Sequence, residues 1–144
     1  MNPPLRSRED QAALLEGIKD GTIDMIATDH APHSAEEKAK GLAGSAMGVV
    51  GLESAFALLY THLVLPGVIS LERLLTLMID NPKKRFGLDT GDDFTVFETA
   101  TPYTIDPAEF ASMGRATPFA GWEVKGRCLL TVCRGKVVYQ DERF

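Results

Sequence analysis

Residues 22–33, TIDMIATDHAPH, join a short apolar run to an acid and two histidines. Ile23 and residues 25–27 are typical of a buried strand in an α/β fold. Pro32 has no amide hydrogen for a sheet ladder, so the strand is expected to end before it. Asp29 then lies just past the strand, where parallel-sheet and barrel enzymes place catalytic side chains. The segment therefore predicts an α/β fold that presents a carboxylate at a strand end.

Each polar residue of this segment also has a structural interpretation. Asp29 by itself is equally consistent with a turn in which its carboxylate accepts backbone N–H groups. His30 by itself is more typical of a packed or capping histidine than of a ligand. For His33 both interpretations stay open, because it follows a proline on a predicted loop, where an imidazole can meet an anionic substrate.

Capping patterns on both sides of this segment predict two helices. Ser7, Asp10 and the stop at Gly21 predict a helix over residues 8–20. Its inward face is expected to consist of Leu14, Leu15 and Ile18. Ser34 with Glu37 predicts a shorter helix over residues 35–40, inside a long glycine-containing loop that extends from residue 30 to residue 50.

Apolar residues at helical spacing follow over residues 52–63 and 71–79, and both stripes indicate packing rather than cofactor binding. His62 lies beside the first stripe and is interpreted as structural. Asn81-Pro82 is expected to end the second helix. The basic run at residues 83–85 is interpreted as a solvated helix face.

The pattern changes to a period of two after Gly91, which predicts strands over residues 94–98 and 128–139. Arg134-Gly135 interrupts the second of these and predicts a tight hairpin turn. Cys128 and Cys133 are the two cysteines of the chain. They are expected to be free thiols, as in a reducing cytoplasm.

Composition excludes several classes of function. The chain has 144 residues, 44% of them hydrophobic, and a formal net charge of -5. The net negative charge does not provide the basic surface that nucleic-acid binding requires, so no nucleic-acid partner is expected. No run approaches the roughly 18 apolar residues of a membrane span, and no signal peptide opens the sequence. A cytoplasmic globular protein is therefore expected.

Four short words in fixed order carry a resemblance to a known family. They are NPPLRS at 2–7, ATDHAPH at 27–33, GVVGLE at 48–53 and ATPFAGWEVKGR at 116–127. Together they resemble the dihydroorotases of the amidohydrolase superfamily, in which the first two words follow the seventh and eighth strands of a barrel. The resemblance covers nearly the whole chain.

The resemblance implies a fold that is larger than this chain. It implies the C-terminal fragment of a metal-dependent TIM (β/α)8 barrel over residues 1–88, and part of the accompanying β-sandwich over residues 89–144. The family binds one or two zinc ions through an early His-x-His, a mid-barrel lysine or acid, and two later histidines. These ligands are not in this sequence. The chain alone is therefore expected to be inactive, to lose zinc, and to self-associate or bind the remainder of the enzyme.

The resemblance also implies a reaction and its residues. Dihydroorotases interconvert dihydroorotate and N-carbamoyl-L-aspartate in pyrimidine (UMP) biosynthesis. Asp29 would bind the metal and carry the proton from the attacking hydroxide to the departing nitrogen. Asn2 and His33 would hold the substrate carboxylate, while backbone groups of Met47 and Gly48 would bind its ring. Met47 departs from the aromatic residue that is commoner there.

Two other interpretations stay open. One is another cyclic amidase, such as an allantoinase or hydantoinase, although NPPLRS serves a substrate carboxylate that hydantoins lack. The other is a non-catalytic dihydroorotase-like subunit that binds aspartate carbamoyltransferase. An intact His-x-His upstream of Met1 would indicate an enzyme, and its absence would favour the binding subunit.

Overall fold

The computed structural model describes residues 2–144 and divides the chain into two compact units. Of the described residues, the first unit contains 2–23, 27–55 and 104–123. The second contains 24–26, 56–103 and 124–144. Both helices and strands are present, which confirms the predicted mixed α/β class. None of the helices in the described residues is long and apolar enough to cross a membrane.

Helix α1, Arg8–Asp20, begins and ends where its capping residues predict. The Ser7 hydroxyl accepts from the Asp10 amide at 3.2 Å, and the Asp10 carboxylate accepts from the Ser7 amide at 3.1 Å. Gly21 ends the helix with φ 92°. The expected inward face is confirmed only in part: Leu15 and Ile18 are half-buried, but Leu14 is 57% exposed and α1 has no fully buried residue.

Residues 22–29 form no strand, so the predicted buried strand is wrong in this structure. Ile23, Met25 and Ile26 are half-buried, and Ala27 is exposed. A strand exists only when neighbouring backbone supplies ladder partners. Among the described residues this segment has few backbone hydrogen-bond partners. The Ile26 amide donates to the Leu77 carbonyl at 3.3 Å, and one parallel bridge follows at His30.

Two short helices form within the predicted loop over residues 30–50. Helix α2, Ala35–Lys38, has the predicted capping box between Ser34 and Glu37, but it ends two residues before the expected Lys40. Helix α3, Gly41–Gly44, forms where a loose glycine connector is expected. Lys40 precedes α3 without a side-chain cap, so this turn depends on backbone hydrogen bonds such as that from the Ser45 amide to the Gly41 carbonyl.

The predicted apolar stripes form helices that contain wider π-helical turns. Helix α4, Ala55–Leu59, continues into a π turn at Tyr60–Val64, and α5, Leu71–Leu75, continues into one at Thr76–Asp80. The expected end at Asn81-Pro82 is wrong, because α6 spans Asn81–Phe86. Pro82 lies in the first turn of α6, where no amide donor is required. Leu74 and Leu77 are completely buried.

The second half contains five strands. Strand β1 is Phe94–Glu98, β2 is Tyr103–Thr104, β3 is Glu123–Val124, β4 is Arg127–Cys133 and β5 is Lys136–Gln140. An antiparallel sheet has the order β1-β4-β5, and β2 pairs with β3.

The β4–β5 hairpin confirms the predicted turn. Arg134 and Gly135 have φ values of 50° and 71°, as a two-residue type I′ turn requires. The Asp93 carboxylate supports the turn by accepting from the Arg134 amide at 2.6 Å. Cys128 and Cys133 are free thiols, as expected.

Candidate active site

The Asp29 turn is held by backbone hydrogen bonds. Asp29 has φ 51°, a left-handed conformation that is uncommon for residues other than glycine. Its carbonyl accepts from the Val49 amide at 3.1 Å, and the Val49 carbonyl accepts from the Ala31 amide at 2.8 Å. These two bonds form the parallel bridge between His30 and Val49. The turn is therefore fixed from both sides while Asp29 itself is exposed.

Gly48 lies directly against this turn. It has φ 96°, and a Cβ atom there would be 2.5 Å from the Ala31 Cβ and 3.2 Å from the Asp29 carbonyl oxygen. Only glycine fits this position without a shift of the surrounding backbone. Gly48 is thus next to Asp29, as the predicted site requires, and Met47 beside it is 51% exposed.

The Gly48 carbonyl already has a hydrogen-bond donor. Lys38 Nζ donates to the carbonyls of Gly48 and Ala46, at 2.8 Å each. A substrate ring at this position would therefore share the Gly48 carbonyl with an ammonium group. Lys38 is not among the residues predicted for the site. No sequence pattern indicates that a lysine on a short capped helix donates to the carbonyls of a loop eight to ten residues later in the chain.

His30 is a capping histidine, as its structural interpretation predicts. Its Nδ1 accepts from the amides of Leu52, at 3.2 Å, and Gly51, at 3.4 Å. An imidazole that accepts through Nδ1 carries its proton on Nε2 when it is neutral. The bond connects the Asp29 turn to the end of the GVVGLE word, so that His30 supports the turn.

His33 lines a pocket of about 410 Å³ and lies beside an acid. Its Nδ1 is 3.5 Å from Glu37 Oε2. The backbone hydrogen bond from Ser34, followed by that from the Ser34 hydroxyl, holds the pKa of Glu37 below its usual range. The other lining residues are Ala35, Lys38, Ala39, Met113, Arg115 and Ala116. Three basic side chains therefore share one pocket in the first unit.

Residues 111–116 form one wall of this pocket, and the sequence analysis did not predict it. Glu53 accepts from the Ala111 amide at 2.7 Å, the Ser112 amide at 3.1 Å and the Ser112 hydroxyl at 2.6 Å. Burial by itself would raise the pKa of Glu53, but these hydrogen bonds outweigh it and lower the pKa. Glu53 belongs to GVVGLE, but Ala111 and Ser112 precede ATPFAGWEVKGR by five and four residues, so no sequence pattern pairs them with Glu53.

The described residues bring neither Asn2 to the Asp29 turn nor a set of metal ligands together. Asn2 is exposed, and no hydrogen bond or ion pair joins it to Asp29 or His33 within residues 2–144. The same residues contain no group of three or more His, Cys, Asp or Glu side chains that could hold a metal ion. A zinc site usually needs about three or four protein ligands. The described residues of this chain therefore do not supply a sufficient set of ligands for the zinc site that the resemblance implies.

Curated proteins of high similarity support the family. No protein-family model matches the chain. A dihydroorotase of Brevibacillus brevis is 55% identical over 148 residues, which cover 98% of this chain. The resemblance to dihydroorotases is confirmed. The match covers 35% of that dihydroorotase, so the chain spans about a third of the length of the curated relatives that it matches.

Solved structures extend the similarity to other cyclic amidases. The D-hydantoinase of a Thermus species superposes with a TM-score of 0.88 at 28% identity, over 98% of this chain and 33% of that one. An inactive dihydroorotase-like domain from a CAD-like multifunctional protein of Chaetomium thermophilum superposes with a TM-score of 0.72. It is 27% identical and matches 95% of this chain and 38% of that domain. Dihydroorotases and hydantoinases are hydrolases that act on cyclic amides.

Proposed function

We propose that this chain supplies the C-terminal part of a dihydroorotase, including the end of a TIM barrel and part of the adjoining β-sandwich. One observation carries the proposal. The backbone of residues 29–31 is hydrogen-bonded to Val49, which fixes the turn on which Asp29 is exposed. His33 follows in the chain and lines a pocket together with Lys38 and Arg115. The 55% identity to a dihydroorotase, against 28% and 33% to two hydantoinases, favours this cyclic amidase over its relatives.

Asp29 is proposed to carry the proton in the reaction. Hydrolysis of a cyclic amide adds oxygen to the carbonyl carbon and breaks the C–N bond, while a proton moves to the departing nitrogen. A carboxylate can accept that proton from the attacking water and then donate it to the nitrogen. The exposed position of Asp29 leaves its oxygens accessible. A zinc ion, which the resemblance implies for the complete enzyme, would take most of its ligands from outside this chain.

His33 is proposed to bind the substrate carboxylate, with help from Asn2. The cationic side chains of Lys38 and Arg115 favour an anion in the same pocket, because charges in a concave surface add. Lys38 and Arg115 also donate to backbone carbonyls, so they contribute charge from fixed positions. Backbone groups of Met47 and Gly48 remain the proposed contacts of the substrate ring.

A comparison of two substrates tests this function in the intact enzyme. We expect dihydroorotate to be hydrolysed, and hydantoin, which has no carboxylate, to be a poor substrate. His33→Ala should raise KM for dihydroorotate about tenfold, because a charge-assisted contact is lost. Its KM for hydantoin should stay within about twofold.

Lys40→Ala is the matched control, since it removes an exposed cation that does not line the pocket. It should change neither KM. An enzyme that hydrolyses hydantoin faster than dihydroorotate, or a His33→Ala variant that loses both substrates equally, would contradict the proposed specificity.

A second function has one specific observation in its favour. The inactive dihydroorotase-like domain of Chaetomium thermophilum matches 95% of this chain. That domain is a structural precedent for a catalytically silent dihydroorotase-like protein, and we propose aspartate carbamoyltransferase as the partner of such a subunit. Such a subunit would bind the carbamoyltransferase in sedimentation experiments and would show no turnover, even with zinc supplied.

The proposed reaction also gives the expected setting. A dihydroorotase acts on a small molecule in pyrimidine biosynthesis, and we propose a cytoplasmic location. Exposed apolar side chains, including Leu5 at 82% and Leu42 at 101%, favour self-association or contact with the remainder of the enzyme.

A further inference from the structure

A glutamate outside the predicted site holds one wall of the His33 pocket. Glu53 is at the end of GVVGLE, and its two carboxylate oxygens accept three hydrogen bonds from Ala111 and Ser112. Hydrogen bonds to an ionised carboxylate are stronger than those between neutral groups. Three of them converge on a loop segment that belongs to neither a helix nor a strand. Glu53 is therefore the side-chain anchor at one end of residues 111–116, while at the other end the Ala116 carbonyl accepts from the Val50 amide at 2.8 Å.

The anchored loop is in close contact with the backbone of His33. Gly114 is buried, and a Cβ atom there would lie 2.5 Å from the Pro32 carbonyl carbon and 2.7 Å from the His33 carbonyl oxygen. Any side chain at position 114 would therefore push the loop and the His33 backbone apart. Because one end of the segment is bonded to Glu53 and its centre is against Pro32 and His33, a change at Glu53 can reach the pocket.

Arg115 completes the connection. Its Nη1 donates to the Ser112 carbonyl and to the Gly114 carbonyl, the latter at 3.2 Å. The guanidinium is thus tied to the same residues that Glu53 and Pro32 hold. Met113, Arg115 and Ala116 of this segment line the pocket with His33.

We propose that Glu53 is a positioning residue that fixes residues 111–116 against the Pro32–His33 backbone and so sets the affinity of the pocket for an anionic substrate. The identity of that substrate rests on the proposed function. This role requires no contact between Glu53 and the substrate or the reacting atoms. Its effect is exerted through Gly114 and Arg115.

Hydrogen exchange measured by mass spectrometry on the full 144-residue chain tests the positioning role without any activity. Glu53→Ala should make peptides that contain residues 111–112 exchange about tenfold faster or more, because their amides lose a charged acceptor. Glu53→Gln keeps one accepting oxygen and should give an intermediate rate. Glu123→Gln is the matched control, since Glu123 is exposed and its carboxylate makes no hydrogen bond or ion pair among residues 2–144. Unchanged exchange in Glu53→Ala would overturn the proposal.

Kinetics of the intact enzyme test the effect on affinity. Glu53→Gln should raise KM for dihydroorotate about tenfold and leave kcat within about twofold. Gly114→Ala should shift KM in the same direction. A merely structural defect would lower the fraction of active enzyme, so that kcat falls while KM is unchanged, and this result would overturn the proposal. If the intact wild-type enzyme hydrolyses no dihydroorotate, the proposed function fails, and the exchange experiment still decides whether Glu53 orders the loop.

Discussion

Gly48→Ala should destabilise the chain by more than its backbone conformation alone requires. A left-handed conformation costs an alanine about 1–2 kcal/mol, and Gly48 has φ 96°. The added Cβ would also be 2.5 Å from the Ala31 Cβ, well inside van der Waals contact. Forcing an extra methyl group into a filled position costs about 1–3 kcal/mol more. The free energy of unfolding should therefore fall by about 2–5 kcal/mol in total.

Gly121→Ala separates the two contributions. Gly121 has φ 79°, and nothing lies within 4 Å of the position of its missing Cβ. This variant should lose only the conformational part, about 1–2 kcal/mol. Urea unfolding followed by circular dichroism, at several protein concentrations, gives both values. Equal losses for the two variants would refute the close approach of Gly48 to Ala31 and the fixed Asp29 turn that depends on it.

Four further predictions follow. Ser54→Ala should leave the free energy of unfolding unchanged or raise it by about 1 kcal/mol, because the buried Ser54 hydroxyl has no hydrogen-bond partner among the described residues; calorimetry checks this. The lowered pKa of Glu53 means that its stabilising contribution is present above the unfolded-state pKa and is lost as the pH falls through the lower folded-state pKa. The protection of the amides of residues 111–112 against exchange, taken relative to the intrinsic exchange rate at each pH, should therefore be lost only in acid. Elemental analysis after dialysis should find less than stoichiometric zinc in the isolated chain, and stoichiometric zinc would refute the account of missing ligands. Light scattering should detect self-association, whereas a monodisperse monomer would show that the exposed apolar faces need no partner.

Local signals predicted the parts of the fold that depend on neighbouring residues only. The Ser7–Asp10 and Ser34–Glu37 capping boxes and the Arg134-Gly135 turn form as expected, because each is completed within a few residues of chain. The predicted helix end at Asn81-Pro82 was wrong. Proline lacks an amide hydrogen and so disrupts the interior of a helix, but it is tolerated in the first turn, and Pro82 lies in the first turn of α6.

Long-range features were beyond these signals. A strand at residues 22–29 requires ladder partners that the described residues do not supply, so its apolar pattern was insufficient. In the candidate site, Asp29, His33 and Gly48 could be identified from family words. Lys38 and Glu53 could not, because their bonds to residues 46–48 and 111–112 arise from the folded path of the loops.

The most direct test of the central claim is the turnover number of Asp29→Asn for dihydroorotate in the intact enzyme. An asparagine cannot accept the proton, so kcat should fall to less than about a tenth of the wild-type value. Asp24→Asn is the matched control, because it removes the same charge from an exposed position five residues earlier, and it should keep wild-type kcat. If Asp29→Asn retains more than about a tenth of wild-type kcat, then Asp29 does not carry the proton and the proposed active site is wrong.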